Sequence, residues 1–162
     1  MAGVMTIVGV SGHQRLPDAA RLHADRTIRE ILAAVPGSLV GLSSLAEGAD
    51  QLFAEILVDL GGTLHAVVPA KGYDATFSGA ALDRFQRLLS AADIVTVLDH
   101  PEPGEAAYDD AGKFVAENSE LLIAVWDGQP ARGLGGTADA VAHARRFDRQ
   151  VVIVWPDGVQ RS

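Results

Sequence analysis

The chain has 162 residues, no cysteine and a formal net charge of −8 at pH 7. The length fits one domain, and the absence of cysteine excludes a disulfide framework and a thiolate metal site. The acidic balance disfavours general binding to a nucleic-acid backbone. Because no apolar run approaches the roughly 20 residues of a membrane span and no basic signal-peptide region precedes the first strand, we predict a cytoplasmic protein with no membrane partner.

Apolar runs and amphipathic helical patterns alternate along the sequence. Runs rich in β-branched residues predict buried strands at residues 4–10, 39–42, 64–68, 94–98, 121–126 and 151–155. Apolar residues at helical spacing predict the intervening helices, which begin near residues 18, 47, 78, 106 and 137. Pro36-Gly37 and Gly61-Gly62 mark the ends of the first two helices.

Strict alternation of strands and helices implies parallel strands with helices on both faces. The sequence therefore predicts a single α/β domain over residues 1–162, a Rossmann-like three-layer sandwich with a mostly parallel sheet. Ligands bind such sheets beyond the carboxyl ends of the strands, where the strand order reverses. The loops that follow the strands are also the segments richest in Gly, Ser, Thr, His and Asp, so we expect a ligand site at this edge.

The loop after the first strand carries the first group of candidate ligand-binding residues. Gly12 permits a tight turn, Ser11 offers a hydroxyl group, and His13 and Arg15 can face a phosphate. The same residues also fit an ordinary strand-to-helix turn with solvated side chains. The full G-x-G-x-x-G fingerprint of dinucleotide-binding proteins is absent.

The loop after the second strand combines small residues with two acids. Ser43 and Gly48 precede a predicted helix start, where free backbone N–H groups can bind an anion. Glu47 and Asp50 can instead accept hydrogen bonds from ribose hydroxyl groups. The spacing of Ser44 and Glu47 also matches a capping box, and the two interpretations are compatible.

A glycine-rich loop precedes the last predicted helix. Gly133, Gly135 and Gly136 suggest a phosphate cradle, with Thr137 at the helix start and Arg132 closing over the anion. The alternative is a flexible surface loop in which Thr137 is an ordinary helix cap.

Lys71 and Tyr73 follow the third strand and can supply a point charge and a stacking face for a base; a solvated loop is an equal alternative. No histidine has a ligand-type partner four residues away and no H-E-x-x-H occurs, so we predict no metal site. The nucleophile elbow of serine hydrolases and the P-loop are also absent. Trp126 and Trp155 end predicted strands and are interpreted as packing residues.

Together these turns resemble the SLOG superfamily, which includes the DNA-processing protein A family and the Lonely guy phosphoribohydrolases. Residues 41–52 and 61–69 are similar to the DNA-processing block, with a G-[IA]-D helix start, a G-G pair and a V-[IL]-P-like strand end. Gly48, Asp50 and Gly62 match this block.

The loop 133–137 resembles the P-G-G-x-G-T-x-x-E signature of the phosphoribohydrolases at Gly133, Gly136 and Thr137. The Glu of that signature falls on Ala140, and Asp139 lies one residue away, which rotates a helical side chain by about 100°. The resemblance therefore implies phosphate binding more directly than hydrolysis.

These observations predict a protein that binds a nucleotide or a nucleotide-derived small molecule, as a ligand-binding or sensing module without a separate cofactor. The alternative is a nucleoside-monophosphate phosphoribohydrolase in which Asp139, Glu47 or Asp50 is the catalytic carboxyl group. Single-stranded nucleic-acid binding is a third hypothesis, and the few aromatic and basic residues argue against it. The superfamily includes bacterial sensing modules, and this length leaves no room for an effector domain. A sensing output would therefore require a homo-oligomer or a separate effector protein.

Overall fold

The computed structural model describes residues 4–130 and 136–161, so Arg132, Gly133 and Gly135 lie outside the described residues. The strands are β1 Met5–Gly12, β2 Ser38–Ser43, β3 Thr63–Val68, β4 Ile94–Val97, β5 Leu121–Val125 and β6 Gln150–Ile153. The helices are α1 Asp18–Ala33, α2 Ala49–Asp59, α3 Gly79–Ala91, α4 Glu105–Glu117 and α5 Thr137–Arg146. A short 3₁₀ helix, Tyr73–Thr76, precedes α3. Within these residues no helix combines the length and the apolar character needed to cross a membrane.

The strands form one six-stranded sheet in the order β4-β3-β2-β1-β5-β6. Every pairing among the described residues is parallel, so the predicted Rossmann-like α/β class is confirmed and the sheet is wholly parallel. The chain moves outward from β1 to β4 and then returns to place β5 on the other side of β1. The strand order therefore reverses between β1 and β5.

Side-chain alternation along the strands separates the core into two layers. Val8 and Val10 of β1 belong to the layer under α1, α2 and α3, together with Ile123 of β5. Leu122 of β5 points the other way and packs with Ala144 of α5 in the layer under α4 and α5. Helices therefore cover both faces of the sheet, as the alternating sequence pattern requires.

The start of α2 differs from the sequence prediction. The helix begins at Ala49, its N-cap is Gly48, and the cap makes no side-chain hydrogen bond. The predicted capping box of Ser44 and Glu47 is therefore wrong. Gly48 has a φ of 88°, and a Cβ there would lie 2.3 Å from the carbonyl oxygen of Gln14, so the approach of two loops decides the helix start and glycine is required.

A substitution at Gly12 tests how closely the sheet and α2 pack. A Cβ on Gly12 would lie 2.4 Å from the Ala49 Cβ and 2.9 Å from the Val125 carbonyl oxygen. We expect Gly12→Ala to lower the free energy of unfolding by roughly 2–3 kcal/mol, because overpacking forces backbone shifts. Urea unfolding monitored by circular dichroism measures this change.

Gly112→Ala is the matched control, because it lies in α4 and a Cβ there would meet only the Ala140 Cβ at 3.8 Å. We expect this variant to be unchanged or more stable by about 0.5–1 kcal/mol, since alanine is the better helix former. Equal stability losses in the two variants would contradict the packing argument.

Candidate functional site

A cleft of about 740 Å³ opens at the carboxyl edge of the sheet, beyond the ends of β1 and β5, where the strand order reverses. This volume is within the range of small-molecule sites, roughly 300–1,000 Å³. The cleft is lined by the ends of β1 and β5, the loops after β2 and β3, and parts of α4 and α5. The candidate residues that line it are Ser11, Gly12, His13, Arg15, Glu47, Asp50, Gly136 and Thr137.

The side of the cleft nearest β5 presents hydroxyl groups at a helix N-terminus. The Ser11 hydroxyl donates a hydrogen bond to the Thr137 Oγ1 at 3.1 Å. Thr137 is the first residue of α5, and Gly136 is its N-cap. The first N–H groups of a helix have no acceptor within the helix, and they favour an anion. This side of the cleft can therefore bind a phosphate group.

A compact ion cluster stands beside these hydroxyl groups. The Arg161 Nε donates to the Asp127 Oδ2 at 2.7 Å, and the His13 Nε2 lies 3.3 Å from the Asp127 Oδ1. Burial raises the pKa of Asp127, but hydrogen bonds from the Gln129 N–H, Arg161 and His13 outweigh it and leave the pKa below its usual value. The His13 ring also packs edge-on against Trp155, with 5.4 Å between ring centroids.

Asp50 has a different environment in the same cleft. Its residue surface is only 9% exposed, and its Oδ1 has no hydrogen-bond partner among residues 4–130 and 136–161. Its carboxyl group accepts a hydrogen bond from the Ala46 backbone, yet burial dominates and raises the pKa of Asp50 to about 7. A carboxyl group with such a pKa exchanges a proton near neutral pH, which is a property of acid–base residues and of structural buried acids alike.

Aromatic side chains form the wall of the cleft on the β3 side. Tyr73, Phe77 and Tyr108 all line it. The Tyr73 ring is nearly buried and lies 5.0 Å from Phe77 and 6.2 Å from Tyr108, measured between centroids. Phe77 in turn stacks on Phe85 at 4.6 Å. The predicted stacking residue Tyr73 therefore belongs to a packed aromatic group, in which Phe77 and Tyr108 are the more exposed members.

Four candidate residues do not line the cleft. Ser43 is fully buried: its hydroxyl donates to the Asp50 carbonyl oxygen and accepts from the Leu45 N–H, each at 3.0 Å. Gly48 packs on the Gln14 carbonyl. Lys71 is exposed and borders a separate hollow between α3 and β4. Asp139 is half-buried on α5.

The structure also changes the reasons for two predictions. Gly12 lines the cleft and also has no room for a side chain, because Ala49 and Val125 fill the space that a Cβ would occupy. The N-terminus of α2 is largely satisfied by protein, since the Ala49 N–H donates to the His13 carbonyl and the Gln51 N–H to the Ala46 carbonyl. The N-terminus of α5 is therefore a better binding site for an anion than the N-terminus of α2.

Sequence reasoning missed several residues that line the cleft. Trp126, interpreted as a packing residue, lies at the cleft and donates from its indole Nε1 to the Gln129 carbonyl oxygen at 2.8 Å. Arg161, Phe77 and Tyr108 were not considered as site residues. Tyr108 and Phe77 come from segments that follow strand ends, and this topological signal was available. Arg161 had no such signal in the sequence, because it does not directly follow a strand end and reaches the cleft from a distant segment.

Among the described residues no three His, Asp or Glu side chains are grouped closely enough to hold a metal ion. The sequence matches no protein-family profile and no curated protein sequence.

Solved structures share the architecture. DNA processing protein A from Streptococcus pneumoniae superimposes with a TM-score of 0.75 over 96% of this chain, at 18% identity. The chain spans about half of that protein, 52% of its length. DNA processing protein A from Helicobacter pylori, described for its single-stranded DNA binding mode, gives a TM-score of 0.69 over 97% of this chain and 68% of its own, at 15% identity.

The molybdenum cofactor carrier protein from Chlamydomonas reinhardtii gives a TM-score of 0.60 over 92% of this chain and 75% of its own, at 21% identity. This chain shares the Rossmann-like α/β fold of these proteins. The resemblance seen in the sequence is therefore confirmed for the fold. Because identity is low throughout, the fold alone is shared, and a fold of this kind does not determine function.

The burial of Asp50 gives a testable pH dependence of stability. Its pKa is about 7 in the folded protein against 3.8 in the reference state, so the unfolded chain ionises first as pH rises. As pH rises from about 4 to about 7, Asp50 therefore lowers the free energy of unfolding by roughly 4 kcal/mol in total, and the loss levels off at higher pH. We expect Asp50→Asn to remove this loss and to be more stable than the wild type at about pH 8.

Urea unfolding at several pH values measures the difference between the two proteins. Glu47→Gln is the matched control, since Glu47 is an exposed acid on the same loop, and it should follow the wild-type curve. An Asp50→Asn protein whose stability falls with pH as steeply as the wild type would contradict the assignment.

Proposed function

We propose that this protein binds a nucleotide or a nucleotide-derived small molecule in the cleft beyond the carboxyl ends of β1 and β5. The observation that carries the proposal is the pair of hydroxyl groups, Ser11 and Thr137, at the N-terminus of α5 in a cleft that also has an aromatic wall. A phosphate group fits the first feature and a heterocyclic base fits the second. A nucleotide carries both in one molecule.

The position of the cleft supports the same conclusion. It lies at the carboxyl edge of the sheet, at the reversal of strand order, where open α/β sheets generally bind ligands. The molybdenum cofactor carrier proteins with this fold are named for a small-molecule ligand. That ligand belongs to those proteins, but it supports a small-molecule site on this fold.

Single-stranded DNA is a less suitable ligand. The H. pylori protein binds single-stranded DNA, and such binding requires a positively charged groove along the backbone. Here the net charge is −8, and Arg15 and Arg161 share the cleft with Glu47, Asp50 and Glu105. This mixture of charges suits one phosphate group better than a polymer.

Nucleoside monophosphates should stabilise the purified protein against heat. A ligand at about 100 times its Kd adds roughly 2.7 kcal/mol, which corresponds to a rise in Tm of roughly 5–10 °C for a domain of this size. A differential scanning fluorimetry panel of the common nucleotides measures the rise. No shift with any nucleotide would contradict the proposed function.

Thr137→Val tests the phosphate end, because it removes the hydroxyl group and keeps the shape. A hydrogen bond to a charged group contributes about 1.5–3 kcal/mol, so we expect nucleotide affinity to fall roughly 10- to 100-fold in isothermal titration calorimetry. Thr6→Val is the control: Thr6 lies in β1, and its hydroxyl donates to the Pro36 carbonyl oxygen, away from the cleft. Equal affinities in the two variants would remove Thr137 from the site.

Hydrolysis of an N-glycosidic bond is the second candidate, and Asp50 is the specific observation that favours it. A carboxyl group with a pKa of about 7 can serve as general acid or base at neutral pH. In such a reaction the bond between the anomeric carbon and the base breaks, and the base leaves with a proton supplied by the acid. Water adds to the anomeric carbon, and the proton that it loses returns to the same carboxyl group. Asp139 does not line the cleft, which makes it a weaker candidate than Asp50.

Release of ribose 5-phosphate from AMP would support hydrolysis. We then expect Asp50→Asn to lower kcat by at least about 100-fold, since general acid–base catalysis contributes roughly 10²- to 10⁴-fold, and Thr6→Val, which lies away from the cleft, to change it little. A colorimetric reducing-sugar assay measures both. Full activity in Asp50→Asn would exclude this mechanism, and the absence of product with every nucleotide that binds would leave binding alone.

A further inference from the structure

Asp50 is the residue of the cleft whose hydrogen bonding is incomplete. Among the buried polar side-chain atoms that lack a partner in the described residues, the Asp50 Oδ1 belongs to a residue that lines the cleft. The Ala46 backbone satisfies part of the carboxyl group, and no salt bridge to Asp50 occurs in the described residues. The protein therefore leaves this acid without a cation, which disfavours its charged form.

The neighbours of Asp50 are aromatic and polar rather than basic. Tyr73 interacts with it electrostatically from the 3₁₀ helix, and burial is the main cause that raises the pKa of Tyr73, which keeps the phenol neutral. The other titratable groups that line the cleft are His13 and Arg15 after β1, Glu47 before α2, Glu105 and Tyr108 of α4, and Arg161. Arg161 already pairs with Asp127, and Arg15 is exposed.

We infer that Asp50 recognises the base of the ligand, as an uncharged carboxyl group that pairs with one donor and one adjacent acceptor on the edge of the ring. An uncharged carboxyl group has an O–H donor beside a C=O acceptor. Adenine presents the complementary pair, an amino N–H beside a ring nitrogen. A base stacked on Phe77 and Tyr108, the more exposed aromatic rings, would bring such an edge toward Asp50, which lines the same cleft and interacts electrostatically with Tyr73.

This inference rests on the proposed function and makes it more specific. The phosphate group would lie at Ser11 and Thr137, and the base would lie at Asp50 and the aromatic wall. The ligand is therefore a base-containing nucleotide, and ribose 5-phosphate alone is an incomplete ligand. Asp50 is then a residue that determines specificity, whether or not turnover follows.

The direction of the pH dependence follows from the protonation state. If only the uncharged acid pairs with the base, binding takes up a proton and affinity falls as pH rises through the pKa of about 7. The binding-competent fraction then drops about tenfold between about pH 6 and pH 8, and the apparent Kd rises by the same factor. A charged carboxylate that accepts two N–H donors, as guanine offers, would give the opposite trend.

Calorimetric titration of AMP into three proteins tests the inference: the wild type, Asp50→Asn and Asp50→Leu. Asparagine carries a donor beside an acceptor, and it pairs with adenine, so Asp50→Asn should bind AMP within about threefold of the wild type at about pH 6. Between about pH 6 and pH 8 it should lose about tenfold less affinity than the wild type. Asp50→Leu should bind AMP at least tenfold more weakly. The phosphate group of AMP is common to all three titrations, so the ratio between variants isolates the change at Asp50.

Three outcomes would overturn the inference, provided that circular dichroism shows each variant folded. The first is equal affinity for AMP and ribose 5-phosphate in the wild type. The second is unchanged nucleotide affinity in Asp50→Leu. The third is tighter binding at about pH 8 together with loss of AMP binding in Asp50→Asn. In each case binding persists, so the proposed function survives, whereas a wild type that binds no nucleotide at all contradicts both proposals.

Discussion

The close approach of β1, β5 and α2 at Gly12 is the constraint on which the site depends. Ala49 and Val125 occupy the space that a side chain would need at this position. Ala49 therefore starts α2 directly against the end of β1, and its N–H donates to the His13 carbonyl at 3.2 Å. This contact fixes the first turn of α2 relative to the strand edge, and it places Asp50 at the wall of the cleft.

A second constraint holds the loop before α2. Leu45 is fully buried with a φ of 58°, a conformation that non-glycine residues rarely adopt. The Ser43 hydroxyl accepts from its N–H, and the Gln51 side-chain Nε2 donates to its carbonyl oxygen at 3.2 Å. Buried polar groups that belong to such networks rigidify the backbone. Ser43 therefore contributes to the site by shaping the loop that presents Asp50, and not by touching a ligand.

Asp127 and Asp50 show how the local environment gives two carboxyl groups at this edge of the sheet different pKa values. Asp127 has Arg161 and the backbone N–H of Gln129 as partners, and its pKa is low despite burial. Asp50 has only a backbone partner, and burial raises its pKa to about 7. The difference follows both from the deeper burial of Asp50 and from the number of donors that reach each carboxylate, since burial disfavours the charge and hydrogen bonds favour it. The solved structures that share this fold are described for single-stranded DNA binding and for carrying the molybdenum cofactor, so the fold does not determine the ligand.

The fold class, the order of the elements and the edge of the sheet at which the cleft opens could all be predicted from the amino-acid sequence. This was possible because hydrophobic periodicity and strand–helix alternation are local properties of the chain. The sequence also identified most of the polar residues around β1 and α5, since these follow strand ends directly. Tertiary structure alone decided that Lys71 and Asp139 lie outside the cleft, that Ser43 is structural, and that Trp126 and Arg161 line it. These outcomes depend on packing between segments that are far apart in the chain; Asp127 and Arg161, for example, are 34 positions apart and form a hydrogen bond. A local sequence pattern does not predict such contacts.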